Sequence, residues 1–169
     1  MFVAIEIGSR RILHCNLTEH PTAEWTRQQF REFLDGESGH RYVIHDRDCV
    51  FSSEVDAALT GFGLKVLKTP VQSPMANAHC ERVIGTIRRE CLDFLIPLNG
   101  RHLRRIVGEF AVHYNRGRPH TALGPGFPEP NATTVPASGY RHELPAGYRV
   151  GKRSVLAGLH HEYRLEEVA

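Results

Sequence analysis

Two carboxylates stand out for where they fall in the chain. Asp46 directly follows the short, partly apolar run Arg41-Tyr42-Val43-Ile44-His45, and Glu81 opens a helix-like stretch behind a proline-containing loop. A carboxylate at the C-terminal end of a buried strand and a second in the first turn of a helix can converge in space although 34 residues separate them. Converging oxygens are what a hard divalent cation takes, with water or phosphate oxygens filling the rest of its shell. Two such cations can activate an attacking oxygen and stabilise a leaving one in phosphodiester transfer. The plainer alternative is a pair of solvated surface acids, one of them near a helix N-terminus where negative charge is favoured in any case.

The flanking sequence must supply the strands and helices that hold such a pair. Residues 2–7 and 11–17 read as two strands around the turn signal Gly8-Ser9. Thr22 is placed to cap a helix running to about residue 34, with Phe30, Phe33 and Leu34 on one face, Trp25 as a packing residue and Asp35-Gly36 as its stop. After the run ending at His45, Ser53 and Asp56 resemble a capping box for a short helix through Leu59, which Gly61-Phe62-Gly63 closes before a strand at 64–67. Strands alternating with helices predict a sheet with helices packed on its faces. Residues 69–74 contain two prolines and read as a loop.

From about residue 77 to 95 the positions Cys80, Ile84, Ile87, Cys91 and Leu95 recur at helical spacing, and from 102 to 114 Leu103, Ile106, Val107, Phe110 and Tyr114 form a second apolar stripe. Asn77 and Asn115 are placed either to orient groups near the site or to cap helix ends, with capping the expected role of each. Six of the ten prolines lie at or beyond Pro119, so 124–130 reads as a linker and 124–169 as a separate tail, with a weak strand or hairpin signal near 155–163.

Charge is distributed unevenly. Residues 16–60 hold nine acids against four arginines, whereas residues 82–118 hold eight arginines against three acids. A basic block made wholly of arginine suits bidentate phosphate contact, which directs attention to Arg82, Arg88, Arg89, Arg104, Arg105, Arg116 and Arg118 as nucleic-acid ligands; a solvated helix face is the competing reading. Eleven histidines show no paired ligand spacing, and His160-His161, adjacent on a strand, point to opposite faces, which argues against zinc. Ser9 lacks the partners of a serine nucleophile. The four cysteines form no C-x-x-C pair and read as reduced thiols. No run approaches a membrane span and no signal-peptide pattern opens the chain, so a cytoplasmic protein without membrane contact is expected.

Three segments taken together carry a resemblance. His45-Asp46-Arg47-Asp48-Cys49-Val50-Phe51, then the stretch from Ser73 to Leu92 around Asn77-Ala78-His79-Cys80-Glu81-Arg82, then Tyr114-Asn115-Arg116-Gly117-Arg118-Pro119-His120-Thr121-Ala122-Leu123-Gly124, resemble in order the DDE-type integrase core of insertion-sequence transposases. The resemblance implies a ribonuclease H-like α/β fold, a mixed sheet flanked by helices, over 1–123. It implies a DNA-integration function, Mg²⁺ or Mn²⁺ as cofactor, DNA as partner, and possible homo-oligomers. Asp46 matches the second catalytic aspartate and Glu81 the glutamate, both metal ligands in such cores.

The first aspartate belongs to a strand expected before the Gly8-Ser9-Arg10-Arg11 segment, which in the family lies on the second strand. The resemblance therefore implies an N-terminally truncated core that binds DNA and is catalytically impaired, the alternative being an active polynucleotidyl transferase. Glu6 sits where the family often carries an acid on its second strand, and strand register decides whether it points at the site. A core lacking its first strand would expose a sheet edge, so marginal stability and self-association are expected.

Overall fold

The computed structural model describes residues 1–34, 39–70, 77–124, 126–129, 144 and 146–168. The helix stop expected at Asp35-Gly36, the resemblance-bearing Ser73-Pro74-Met75-Ala76 and most of the proline-rich stretch after Glu129 lie outside them.

β1 (Phe2–Ile5) and β2 (Ile12–Asn16) form an antiparallel hairpin whose register shifts between Ala4 and Ile5. Arg10 carries the turn at φ 67. α1 (Ala23–Phe33) begins as its sequence predicts, with the Thr22 hydroxyl accepting from the Trp25 amide at 3.1 Å. β3 (Tyr42–His45) pairs in parallel with β4 (Lys65–Lys68), and α2 (Ser53–Gly61) makes the crossover between them. α3 (Ala78–Glu90) and α4 (Gly100–Arg116) follow, joined by a single 3-10 turn at Leu92–Phe94.

The expected α/β class is observed, but the strands do not join into one sheet. β1 pairs with β2, β3 with β4, and β1 and β3 each keep an unpaired edge among the described residues.

Two cores hold the chain together. Phe2, Phe30, Val55, Leu59 and Leu64 pack β1 against α1, α2 and the entry to β4. Ile12, Val83, Ile87, Cys91, Ile106, Val107, Phe110 and Tyr114 pack β2 against α3 and α4. The α4 stripe is a core face, as its spacing predicts; on α3 Ile87 and Cys91 are buried as expected, but Val83 is buried where Ile84 was expected, and Ile84 is 39% exposed.

The C-terminal segment ends in a hairpin of β5 (Tyr148–Val155) and β6 (His160–Glu167), turned by Leu156–Gly158. Val155 and Leu156, both 4% exposed, enter the α3–α4 core, and the Leu156 amide donates to Glu109 at 2.5 Å. The segment expected to be a separate tail thus includes a strand pair that contributes core residues. Its weak sequence signal reflects strands that are polar and largely exposed, with only Val155 and Leu156 at their turn entering the core.

Three local assignments differ from expectation. Asn115 does not cap a helix: its side chain accepts from the Ile12 amide and donates to the Ile12 carbonyl, each at 2.9 Å, in the manner of a neighbouring strand. Asn77 occupies the N-cap position of α3 without a side-chain cap bond, while Asn99, which no sequence signal singled out, caps α4 by accepting from the His102 amide at 2.8 Å. Asp56 joins no capping box; α2 is capped at Ser52 without a side-chain bond, and Asp56 is drawn instead to His45 and Lys68.

Candidate functional site

Asp46 leaves β3 into a tight turn that aspartates build. Its Oδ1 accepts from the Asp48 amide at 3.2 Å, and Asp48 Oδ1 accepts from the Val50 amide at 3.1 Å. Such side-chain to backbone bonds two residues on are what Asp offers a turn. The preceding His45 is buried, stacks on Phe51 with centroids 4.4 Å apart, and reaches Asp56 at 2.9 Å. Lys68 closes on the same carboxylate at 2.6 Å. Burial raises the Asp56 pKa, but the bonds from Lys68 and His45 prevail and hold it below the usual carboxylate range. The His45-Asp56-Lys68 chain locks β3, α2 and β4 together immediately behind Asp46. A histidine beside the Asp46 position was visible in the sequence; its partners, set by the crossover, were not.

Glu81 is exposed in the first turn of α3, where the helix dipole favours a negative charge. Burial pushes the Cys80 thiol above its ordinary value, and the negative charges of Asp46 and Glu81 push it the same way. The charges of both expected site residues thus contribute to the field at the start of α3.

Glu6 is engaged elsewhere. Its carboxylate accepts from the Ser9 hydroxyl and contacts His40 at 3.1 Å. The Ser9 bond, against the opposing effect of burial and with help from His40, holds its pKa below the usual carboxylate value. Among the described residues no group of three or more His, Cys, Asp and Glu side chains could hold a metal ion, and Asp46 with Glu81 does not by itself make a closed metal site.

The seven arginines fall into two groups. Arg116 forks onto Glu129 at 3.0 and 3.1 Å, and Arg118 forks onto Glu90 at 2.6 and 2.7 Å. The Arg118 bond, acting against burial, holds Glu90 below the usual carboxylate range. These two arginines staple the end of α4 to its surroundings. Arg88 is exposed, with only a 3.6 Å approach to Asp93, and Arg104 donates to the Leu17 carbonyl at 3.3 Å. Arg82, Arg89 and Arg105 are exposed without an acidic partner among the described residues. The arginines open to solvent thus lie on the outward sides of α3 and α4, opposite the stripes that pack the core.

On the other side of α4 the histidines form a structural cluster. His113 is buried and bonds Glu162 at 2.9 Å, while His160 stacks on His113 with centroids 4.8 Å apart and bonds the Glu90 carbonyl at 2.7 Å. No helix of the described chain is long and apolar enough to cross a membrane, and all four cysteines are free.

Residues 63–128 match the family of the integrase core domain. That segment contains Glu81 and all seven arginines, and Asp46 lies outside it. The putative transposase InsD for insertion element IS2E of Escherichia coli (strain K12) is 30% identical over 83 residues, 49% of this chain and 38% of the relative. The transposase InsD for insertion element IS2A/D/F/H/I/K of Escherichia coli is 30% identical over the same length, which covers 28% of that relative. The match accordingly spans well under half of either relative.

Proposed function

We propose that this chain, similar over residues 63–128 to the integrase core domain and to insertion-sequence transposases, is a DNA-binding protein of transposition, of the ribonuclease H-like class and impaired in strand cleavage. The observation that carries the reading is the match of residues 63–128 to the integrase core domain, within which Glu81 stands in the first turn of a helix whose outward side bears open arginines. Phosphate oxygens lying along α3 and α4 would be met by Arg82, Arg88, Arg89, Arg104 and Arg105, and the fixed fork of a guanidinium matches a phosphate. Two carboxylates without a third donor among the described residues support the impairment, since a divalent ion there would depend on further oxygens from water or nucleic acid. In this reading the protein works in the cytoplasm, residues 1–123 carry the core, and the open β1 edge favours self-association.

Duplex DNA binding, followed by fluorescence anisotropy at several salt concentrations, tests it. Binding that weakens linearly in log salt is expected. Incubation of supercoiled DNA with Mg²⁺ or Mn²⁺ is expected to leave it uncut. Salt-independent binding or none overturns the DNA assignment. Nicking that Asp46→Asn and Glu81→Gln each abolish would replace the impaired reading with an active divalent-metal polynucleotidyl transferase, the second reading that the same pair of carboxylates supports.

A further inference from the structure

The connection between α3 and α4 divides its apolar side chains between core and solvent. Leu92 and Leu95 pack against the core beneath it, while Phe94, Ile96 and Leu98 stand 65%, 85% and 81% exposed. The segment is held in that posture by its own bonds. The Phe94 amide donates to the Cys91 carbonyl at 3.2 Å, the Leu98 amide to His102 Nδ1 at 3.2 Å and the His102 amide to Asn99 at 2.8 Å. Pro97, between the two most exposed of these side chains, fixes one more backbone angle. Apolar groups clustered in solvent mark a binding surface, where single ones do not.

The charges that flank this patch select its partner. Arg88 lies in the last turn of α3 before it, and Arg101, Arg104 and Arg105 follow in the first turns of α4, the last two about one turn beyond Arg101 on the same side of the helix. No acid stands in the first turn of α4, so the positive end of that helix adds to the arginines. The three acids between residues 82 and 118 are already engaged: Asp93 approaches Arg88 at 3.6 Å, Glu90 is forked by Arg118, and Glu109 accepts from the Leu156 amide. A second copy meeting this patch about a two-fold axis would set its arginines against their own copies. A polyanion that also takes up apolar side chains answers both features. Duplex DNA does so, because apolar side chains entering between base steps part the stack while the phosphates on either side stay within reach of arginine.

We infer that Phe94, Ile96 and Leu98 form a wedge that enters duplex DNA between base pairs and bends it, with Arg88, Arg101, Arg104 and Arg105 holding the phosphates on either side. The inference rests on the DNA-binding reading and adds what that reading does not require, a preference for DNA that parts easily. Pyrimidine–purine steps and bulged bases have less stacking to lose. The wedge is fixed before DNA arrives, so little ordering cost attends its entry.

The test uses the whole chain and a duplex of roughly 20 base pairs that carries dyes at its ends and 2-aminopurine, a base that brightens on leaving the stack, beside a central TA step. Binding is expected to raise the 2-aminopurine emission and to bring the ends together, and a duplex with a single-base bulge is expected to bind about tenfold more tightly than the intact one. Ile96→Ser with Leu98→Ser, at two exposed sites, is expected to abolish all three effects and to keep the salt dependence of binding. The bulge preference is read on the unaltered chain and keeps the test decisive if the double variant does not fold. Salt-dependent binding with unchanged emission and equal affinity for both duplexes would overturn the wedge and leave the DNA reading standing, whereas no binding to either duplex would overturn both. A dimer in sedimentation, or capture by anionic vesicles, that the serines abolish while the DNA signals persist would also overturn the wedge, because a second copy or a lipid surface would then own the patch.

Discussion

The half of the molecule built on α3 and α4 and the half built on β1, β3 and α1 solve the same packing problem in different ways. In the helical half Phe110, Ile87 and Cys91 are fully buried, and Val107 and Val83 nearly so. In the sheet half Val55 and Leu59 reach 1% exposure, and the apolar residues left open lie on or beside strands, Ile7, Tyr42, Ile44 and Leu67 at 39–55%; in the helical half the most open ones, Phe94, Ile96 and Leu98 at 65–85%, lie on the connection between the helices. A helix satisfies its own backbone and needs cover for one stripe, whereas a strand needs a partner at each edge as well as cover for its faces. The helical half finds its last cover in Val155 and Leu156 of the hairpin; the sheet half keeps two edges open around a cleft. Completeness here follows from what each element requires of its neighbours.

The largest expected effect lies in the packed half. Phe110→Ala should cost about 3–5 kcal/mol, while Val43→Ala in half-buried β3 should cost about 1 kcal/mol, both read from urea midpoints. Equal losses would erase the contrast between the halves.

Acid offers a crossed test. Burial raises the Glu162 pKa, but bonds from His113 and Arg153 prevail and hold it below the usual value of 4.5. A carboxyl lowered in the folded state adds stability that is complete above its unfolded value and is lost as pH falls through the folded one. The same sign holds for Asp56, lowered from 3.8. Amide exchange of the β5–β6 hairpin should therefore quicken as pH drops below about 4.5, and that of β3 and β4 below about 3.8. Glu162→Gln should flatten only the first dependence and Asp56→Asn only the second. A variant that flattened both would mean that the halves unfold as one unit.

Smaller effects separate the two groups of arginines. Arg88→Ala with Arg89→Ala should reduce the slope of log binding constant against log salt by roughly 0.9 for every phosphate these side chains cease to neutralise, with little change in stability. Arg118→Lys should leave that slope unchanged and cost about 0.5–1 kcal/mol, because lysine cannot reproduce the fork onto Glu90 at this partly exposed site. A change of slope in Arg118→Lys would move that residue from the scaffold to the DNA-facing set.

What could be read from the sequence was what depends on near neighbours. The stripe of α4, the presence of the α3 helix, the Thr22 cap and the strand that ends before Asp46 follow from spacing and from residue types that act within a turn or two. Tertiary structure decided what depends on distant partners. Asn115 became a strand-like clamp because the Ile12 backbone lies opposite it, Asp56 left its expected cap for His45 and Lys68 because the crossover brought them within reach, and Arg116 and Arg118 found acids that no local pattern marks. The separation of the sheets is of the same kind: each strand's apolar run announces a strand, but edge pairing is a bond between segments far apart in the chain, and its partner is settled only when the fold brings them together.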